Sequence, residues 1–408
     1  MALGRAPEPR GVKVATYGDN VTDAFRLDKL TLDHLGSRAG LKWATTPAGV
    51  IPAWVADMDF PIAPEIQSAL TLRTGHDLGY PHWLDEPACG PLAEAFAERM
   101  ELRYSWRPDP GHVRSYTDIN QALQVLLHIF TEPGDKVALH TPGYYPFLET
   151  FVEMDRPLLP IPMIAKGDSW EFDADRLAED LADGRCRVLL LVNPHNPTGR
   201  VFSEAELTAL AELAERHDLL VLSDEIHADL TYGDARHIPF ATLLPERTVT
   251  LTSATKAFNL GGIRCSVTHV GVPAVREALD RQPTHLYGAA NLLGVEATVA
   301  AWRHGDAWLD EVRAVLDRNR RMVADLLPKG VTYRVPEATY LAWLDFHAVE
   351  LGDEPAEFVR REAHVRLSSG ATFGPGGEGF SRLNFATSGP VLHEMLHRLA
   401  AAVAGRTG

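Results

Sequence analysis

A chain of 408 residues with 45% hydrophobic and 23% charged residues can bury a sizeable core, and this composition excludes the disordered, fibrous and disulfide-stapled classes. Its 39 basic and 55 acidic residues leave a formal charge of −16, so no basic field exists to recruit nucleic acid or an anionic membrane, and small-molecule chemistry becomes the default. Cys89, Cys186 and Cys265 form no C-x-x-C pair, the 17 histidines have no metal-ligand spacing, and neither a secretory h-region nor a membrane-length apolar run occurs. The reading is a cytoplasmic protein without a catalytic metal.

Residues 1–50 lack a clear period, and Pro7, Pro9, Pro47 and Pro52 favour an arm that wraps on a larger body and forms part of a small domain. From about residue 60 strand-like runs alternate with helix-like ones. That pattern predicts an α/β fold, a three-layer αβα large domain over 51–290 with a mainly parallel sheet. Runs at 137–140, 187–192, 219–222 and 248–251 are nearly continuous apolar or β-branched stretches, as strands buried on both faces require. Between two of them Ser203 and Glu206 form a capping box, and Leu207, Leu210, Ala211 and Ala214 fall on one helical face. Beyond 290 the texture changes. Helices over 289–303 and 308–327, strands over 340–345 and 382–385, and a terminal helix over 391–403 predict a smaller α+β domain, 291–408. The glycines and proline of 373–379 predict a loop.

In an open parallel sheet, ligands bind beyond the carboxyl ends of the strands, and the polar outliers collect there. The 187–192 strand runs into Asn193-Pro-His-Asn-Pro-Thr-Gly199, the 219–222 strand into Ser223-Asp-Glu-Ile-His227, and the 248–251 strand into Ser253-Ala-Thr-Lys256. A buried strand ending in a charge is costly unless the charge is paired. Among seven lysines only Lys256 follows the C-terminal end of a buried strand, so if a Schiff-base amine exists, Lys256 is it. The competing reading is a solvated lysine on a loop.

Those three motifs, with Ala257-Phe-Asn259, Gly261-Gly-Ile-Arg264 and Arg382-Leu-Asn384, resemble the fold-type I pyridoxal-phosphate (PLP) enzymes of the class I/II aminotransferase group along nearly the whole chain. Trp54-Val-Ala-Asp-Met-Asp-Phe60, Gly79-Tyr80 and the His of Asp-Glu-Ile-His are similar to the branch of cystathionine β-lyases and cysteine-S-conjugate β-lyases. The resemblance implies that Lys256 carries the internal aldimine and acts as catalytic base. It further implies that Asp224 pairs with the pyridine nitrogen and that Asn196 bonds the ring's phenolic oxygen. His227 stands where many relatives use a tyrosine, and Tyr144 matches the aromatic that stacks on the ring. Tyr145 is the alternative to Tyr144, since successive side chains at a strand end point to different faces. For the phosphate the resemblance implies Ser253, Arg264 and the N–H groups of a helix beginning near Asp118-Ile119-Asn120, before the run 121–130. An acidic residue departs here from the commoner glycine-containing pattern, and Asp118 is read as a cap, with Asn120 available as a donor. Arg382 matches the arginine that grips the substrate carboxylate. Tyr80 matches a tyrosine that reaches the neighbouring subunit's site, which implies a homodimer. Trp54 and Asp57 fall near the site mouth without a derivable role.

The activity implied is β-elimination from cystathionine or another S-substituted L-cysteine, releasing thiol, pyruvate and ammonia. An aminotransferase would use the same residues. So would a specialised biosynthetic enzyme acting on a bulky cysteine S-conjugate, by β-elimination or by decarboxylation with oxidative deamination. A ligand-sensing regulator carrying a DNA-binding domain is disfavoured by the absence of room for that domain and by the acidic charge.

Overall fold

The computed structural model describes residues 24–84, 86, 90–283, 286–288, 290–352 and 354–406. Cys89 and the first 23 residues of the predicted arm lie outside them; Cys186 and Cys265 are both buried.

The large sheet has seven strands: β1 Val113–Tyr116, β2 Lys136–Thr141, β3 Leu158–Pro162, β4 Cys186–Val192, β5 Leu220–Asp224, β6 Thr248–Thr252 and β7 Ser266–Val270. Their order across the sheet is β1-β7-β6-β5-β4-β2-β3. The five from β6 to β3 run parallel, while β7 is antiparallel to both of its neighbours. This is the α/β architecture the sequence predicts, and the alternation of side chains explains its layers. Along β4, Leu189 and Leu191 face a core with Leu207, Leu210 and Ala214 of a helix over Glu204–Arg216. Val188, Leu190 and Val192 face the other way, onto Leu123, Leu126 and Leu127 of α1, Ile119–Phe130. The capping box at Ser203 and Glu206 is formed.

Register places the chemistry. Val192 lies opposite Asp224, and Asp224 opposite Leu251, so β4, β5 and β6 end level and release their three loops at one edge. Gly199 closes the first loop at φ +71°, where a Cβ would stand 2.2 Å from Cβ of Pro336. Only glycine lets this turn approach the second sheet so closely.

That second sheet has β8 Thr332–Tyr333, β9 Leu341–Asp345, β10 Ser368–Ser369 and β11 Phe380–Asn384, all antiparallel, in the order β8-β9-β11-β10. Helices Leu292–His304, Asp306–Leu326 and Gly389–Ala404 complete the C-terminal part. Leu27, Leu30 and Leu35 of the leading segment bury against the same core as Leu392 and Leu396. The Ser388 hydroxyl donates to the Leu30 carbonyl at 2.8 Å. Ile51–Pro52 pairs in parallel with Val365–Arg366, joining the segment before Trp54 to the C-terminal part. Among the described residues no helix is long and apolar enough to cross a membrane, and no cluster of three or more His, Cys, Asp or Glu could hold a metal ion.

Candidate active site

A cavity of about 550 Å³ opens at the level edge of β4, β5 and β6, and Ile119, Asn120, Tyr144, Asn196, Asp224, His227, Ser253, Lys256 and Arg264 all line it. Nine residues drawn from six stretches of sequence therefore meet at one place. Tyr80 stands apart, 91% exposed.

Asp224 ends β5 and is buried, its Oδ1 accepting from the Ile226 N–H at 3.1 Å. Burial pushes its carboxyl up to about 7, with Glu225 adding to the rise and the Ile226 N–H and Lys256 opposing it. Such a group is costly unless a cation pairs with it. His227 is buried with Nδ1 unpartnered; burial, then Lys256 and Arg382, hold its imidazole down to about 3, so it is neutral. Lys256 donates from Nζ to the Ala56 carbonyl at 2.9 Å. Burial lowers its amine below the ordinary lysine value. Asp57 opposes that shift, Arg382 adds to it, and Asp224 opposes it more weakly than Asp57.

Arg382, on β11, does not line the cavity but is tied to it. Its Nη1 donates to Asn196 Oδ1 at 3.0 Å and its Nη2 to the Trp54 carbonyl at 3.0 Å, while buried Nε has no partner. A planar fork aimed by two fixed acceptors is suited to orienting a carboxylate.

At the α1 end of the cavity the helix begins at Ile119, where the sequence reading places its start, with Asp118 as the N-cap accepting the Gln121 N–H at 2.8 Å. The N–H groups of Ile119 and Asn120 in that first turn have no acceptor within the helix. Asn120 turns its Oδ1 to the Thr150 hydroxyl at 3.2 Å, and Ser253 spends its hydroxyl on the Cys265 carbonyl at 2.6 Å. Thr255, which the sequence reading passed over, also lines the cavity. Arg264 adopts the left-handed region at φ +58° and is ion-paired with Asp118. Tyr144 lines the cavity whereas Tyr145 packs edge-on against Phe373, but not for the reason of strand alternation. Strand β2 ends at Thr141, and a helix, Tyr145–Glu153, starts between the two residues, whose ring centroids lie 5.4 Å apart.

The segment Trp54–Phe60 had no derivable role in the sequence; it is a strap on which the site rests. Asn384 Nδ2 donates to the carbonyls of Val55 and Asp57, and Asn259 Nδ2 to those of Met58 and Phe60. Lys42 pairs with buried Asp59 at 2.9 Å. The signal was available only as an unusual motif, since its partners lie as much as 329 residues away.

These residues fit PLP. Buried Asp224 lacks a cation of the kind a protonated pyridine nitrogen supplies, and His227 Nδ1 and Arg382 Nε are unpartnered at the same place. Arg264 and the two N–H groups of α1 together favour a dianion.

A family model of class I and II aminotransferases matches residues 91–400. A cystathionine beta-lyase of Corynebacterium glutamicum is 33% identical over 377 residues, covering 91% of this chain and 99% of that protein. The crystal structure of cystalysin from Treponema denticola, which contains a pyridoxal 5'-phosphate cofactor, superposes with a TM-score of 0.84 at 30% identity, covering 90% and 96% of the two chains. The PLP-bound C-S lyase of Staphylococcus hominis gives a TM-score of 0.82 at 30% identity, covering 88% and 94%. With its family model spanning three quarters of the sequence and relatives matched almost end to end, the chain belongs to the class I and II aminotransferase family.

Proposed function

We propose that this chain is a PLP-dependent carbon–sulfur β-lyase that converts cystathionine or another S-substituted L-cysteine, with one water, into a thiol, pyruvate and ammonia. The observation that carries this reading is the convergence of Lys256, Asp224, Asn196 and the Arg382 fork on one cavity, in a chain whose relatives include a cystathionine beta-lyase and C-S lyases.

Lys256 would hold PLP covalently, with Asp224 on the ring nitrogen, Asn196 and His227 beside the ring, Tyr144 on its face, and Ile119, Asn120, Ser253 and Arg264 around the phosphate. Bound there, PLP supplies an electron-withdrawing ring that stabilises negative charge at the substrate Cα. Arg382 fixes the substrate carboxylate and with it the angle of the Cα–H bond. With its amine free, Lys256 Nζ would be placed to take the Cα proton and to give it to the departing sulfur. Neutral His227 adds no competing charge.

We further read the protein as a cytoplasmic homodimer. Exposed Tyr80 would reach across to the other subunit's phosphate cup, and exposed Leu72, Leu78 and Leu84 beside it in sequence supply apolar area for such a contact. Light scattering tests the assembly.

The activity is tested by mixing the cofactor-loaded protein with L-cystathionine in the absence of a keto acid. Catalytic release of pyruvate and thiol supports β-elimination. A single stoichiometric conversion of the cofactor to its pyridoxamine form, restarted only by a keto acid, makes the protein an aminotransferase instead. No reaction with cystathionine, but turnover of a bulkier S-conjugate, narrows the substrate within the same chemistry.

A further inference from the structure

Arg382 is a buried cation with no carboxylate partner among the described residues, and the neutral groups around it give one more side chain a task. Nη1 donates to Asn196 Oδ1 and Nη2 to the Trp54 carbonyl, each at 3.0 Å, and Cζ lies 4.9 Å from the centre of the Phe373 ring. The weak point of this setting is the Trp54 carbonyl. It belongs to the strap, in a stretch with neither helix nor strand between Pro52 and Pro64, so its place depends on what it accepts. The Arg366 guanidinium, 4.0 Å over the indole, rests on the ring and leaves the carbonyl to other groups. The next three carbonyls of the strap have donors of their own: Val55 has Asn384, Ala56 has Lys256 and Tyr340, and Asp57 has Lys42 and Asn384. The Trp54 carbonyl has Ser368 Oγ, which donates to it at 2.6 Å and is, among the described residues, its one donor besides Arg382 itself.

Ser368 stands directly opposite Arg382 in the register of β10 with β11, so the two side chains leave the same face of the second sheet. Its Oγ lies 3.4 Å from Nη2, and because its proton is spent on the carbonyl, it turns lone pairs to the guanidinium. Hydroxyl, carbonyl and Nη2 thus close a triangle whose two side chains ride on one sheet. We propose that Ser368 is a positioning residue for Arg382: by holding the Trp54 carbonyl it fixes the plane of the guanidinium, and so sets how tightly the carboxylate of an amino acid is gripped. The inference rests on the reading of Arg382 as the group that takes the substrate carboxylate and adds the residue that aims it. A planar fork binds a carboxylate well only when its plane is held, since both ligand oxygens must meet N–H groups at once. Without the hydroxyl, Nη2 has a single acceptor on an unsupported stretch of chain, and the fork can turn with it.

The test is a titration of the cofactor-loaded protein, followed by the cofactor's absorbance, with L-alanine and with L-alaninamide, which lacks the carboxylate. It is run on the wild type, Ser368→Ala, Ser368→Thr and Ser368→Val. The expected result is that the Ala and Val variants bind L-alanine roughly fivefold more weakly, the size of one hydrogen bond, while L-alaninamide is bound as by the wild type. Thr keeps the hydroxyl and should restore the affinity that Val, of the same shape, loses. Two variants without the hydroxyl are read in parallel so that a folding failure of one leaves the comparison intact. A purely structural role would lower cofactor content or weaken both ligands alike, and either result without a selective loss for L-alanine overturns the proposal, as does an unchanged L-alanine affinity at full cofactor content. Failure of the underlying reading is distinguishable, because the wild type itself would then bind L-alanine no more tightly than L-alaninamide.

Discussion

Lys256 and Tyr340 donate to one acceptor, the Ala56 carbonyl, at 2.9 and 2.8 Å. The amine on the large sheet and the phenol before β9 are thereby fastened to the same point of the strap, although 284 residues separate Tyr340 from Ala56. Tyr340→Phe removes one of the two donors and strands no other group, since the carbonyl keeps Lys256. The expected loss is about 1 kcal/mol of stability, measured by denaturant unfolding of the apo-protein, with the cofactor band retained. Loss of the band would mean that Tyr340 fixes Lys256 itself and not only the strap.

Asp224 gives a pH-dependent prediction. Its carboxyl is pushed by burial from near 4 to about 7, so between those values the native state binds more protons than the unfolded chain. Stability of the apo-protein contributed by this group therefore falls as pH rises through that window. Asp224→Asn removes the titration, and the apo-variant should gain stability relative to wild type on going from pH 5 to pH 7, by a few kcal/mol at full effect. Buried neutral histidines such as His227 slope the other way in both proteins and cancel in the comparison. Urea unfolding at the two pH values checks it; a variant-to-wild-type difference independent of pH would show that Asp224 is already ionised.

Two residues beyond His227 lies Asp229, which anchors the loop to the helices behind it. Its carboxylate meets the Arg99 guanidinium at 3.0 Å and accepts the Tyr104 hydroxyl at 2.9 Å, and the Arg99 side chain is wholly buried. Burial alone would raise this carboxyl, but Arg99, Arg103 and the hydrogen bonds outweigh it and hold it below the usual range. Asp229→Ala leaves Arg99 with Asp306, at 39% exposure, as its remaining carboxylate partner among the described residues. The expected cost is about 3 kcal/mol, because a buried cation loses its enclosed partner. Asp229→Ala combined with Arg99→Met should recover much of that loss in thermal unfolding; no recovery would place the cost in Tyr104 and the backbone instead.

How much of this was legible depends on the range of the interaction. The strands ending at Val192, Asp224 and Thr252 and the capping box at Ser203 are written in local periodicity and cap chemistry, and the structure has them within one or two residues. Because strand ends are local and a parallel register levels them, the convergence of Asn196, Asp224 and Lys256 could be read as well. The strap could not. Its carbonyls are held by Asn259, Tyr340, Arg382 and Asn384, polar residues with no pattern among their own neighbours to announce a partner hundreds of positions away. The fate of the Tyr144–Tyr145 pair was misjudged in its cause for a similar reason. Where a strand gives way to a helix within four residues, the period does not reveal which governs.

Asp118 tests the departure at the phosphate cup. One carboxylate oxygen caps α1 at the Gln121 N–H and the other is paired with Arg264, so the guanidinium we propose for the phosphate already has an anionic partner. Both side chains of that pair are partly in water, at 58% and 31% exposure, which makes the bond weak enough to be exchanged. A dianion arriving at the cup must share Arg264 with Asp118 and sit beside its charge at a helix N-terminus. Asn caps a helix as well as Asp does and removes the charge, so Asp118→Asn should leave helix stability nearly unchanged. It should tighten PLP binding by roughly threefold to fivefold, the magnitude of one charge near a helix end. Fluorescence titration of the apo-protein with PLP at low and high salt measures this, and the gain should shrink at high salt as the repulsion is screened. Weaker binding in Asp118→Asn would reverse the assignment, making Asp118 the residue that aims Arg264 at the phosphate and not its competitor.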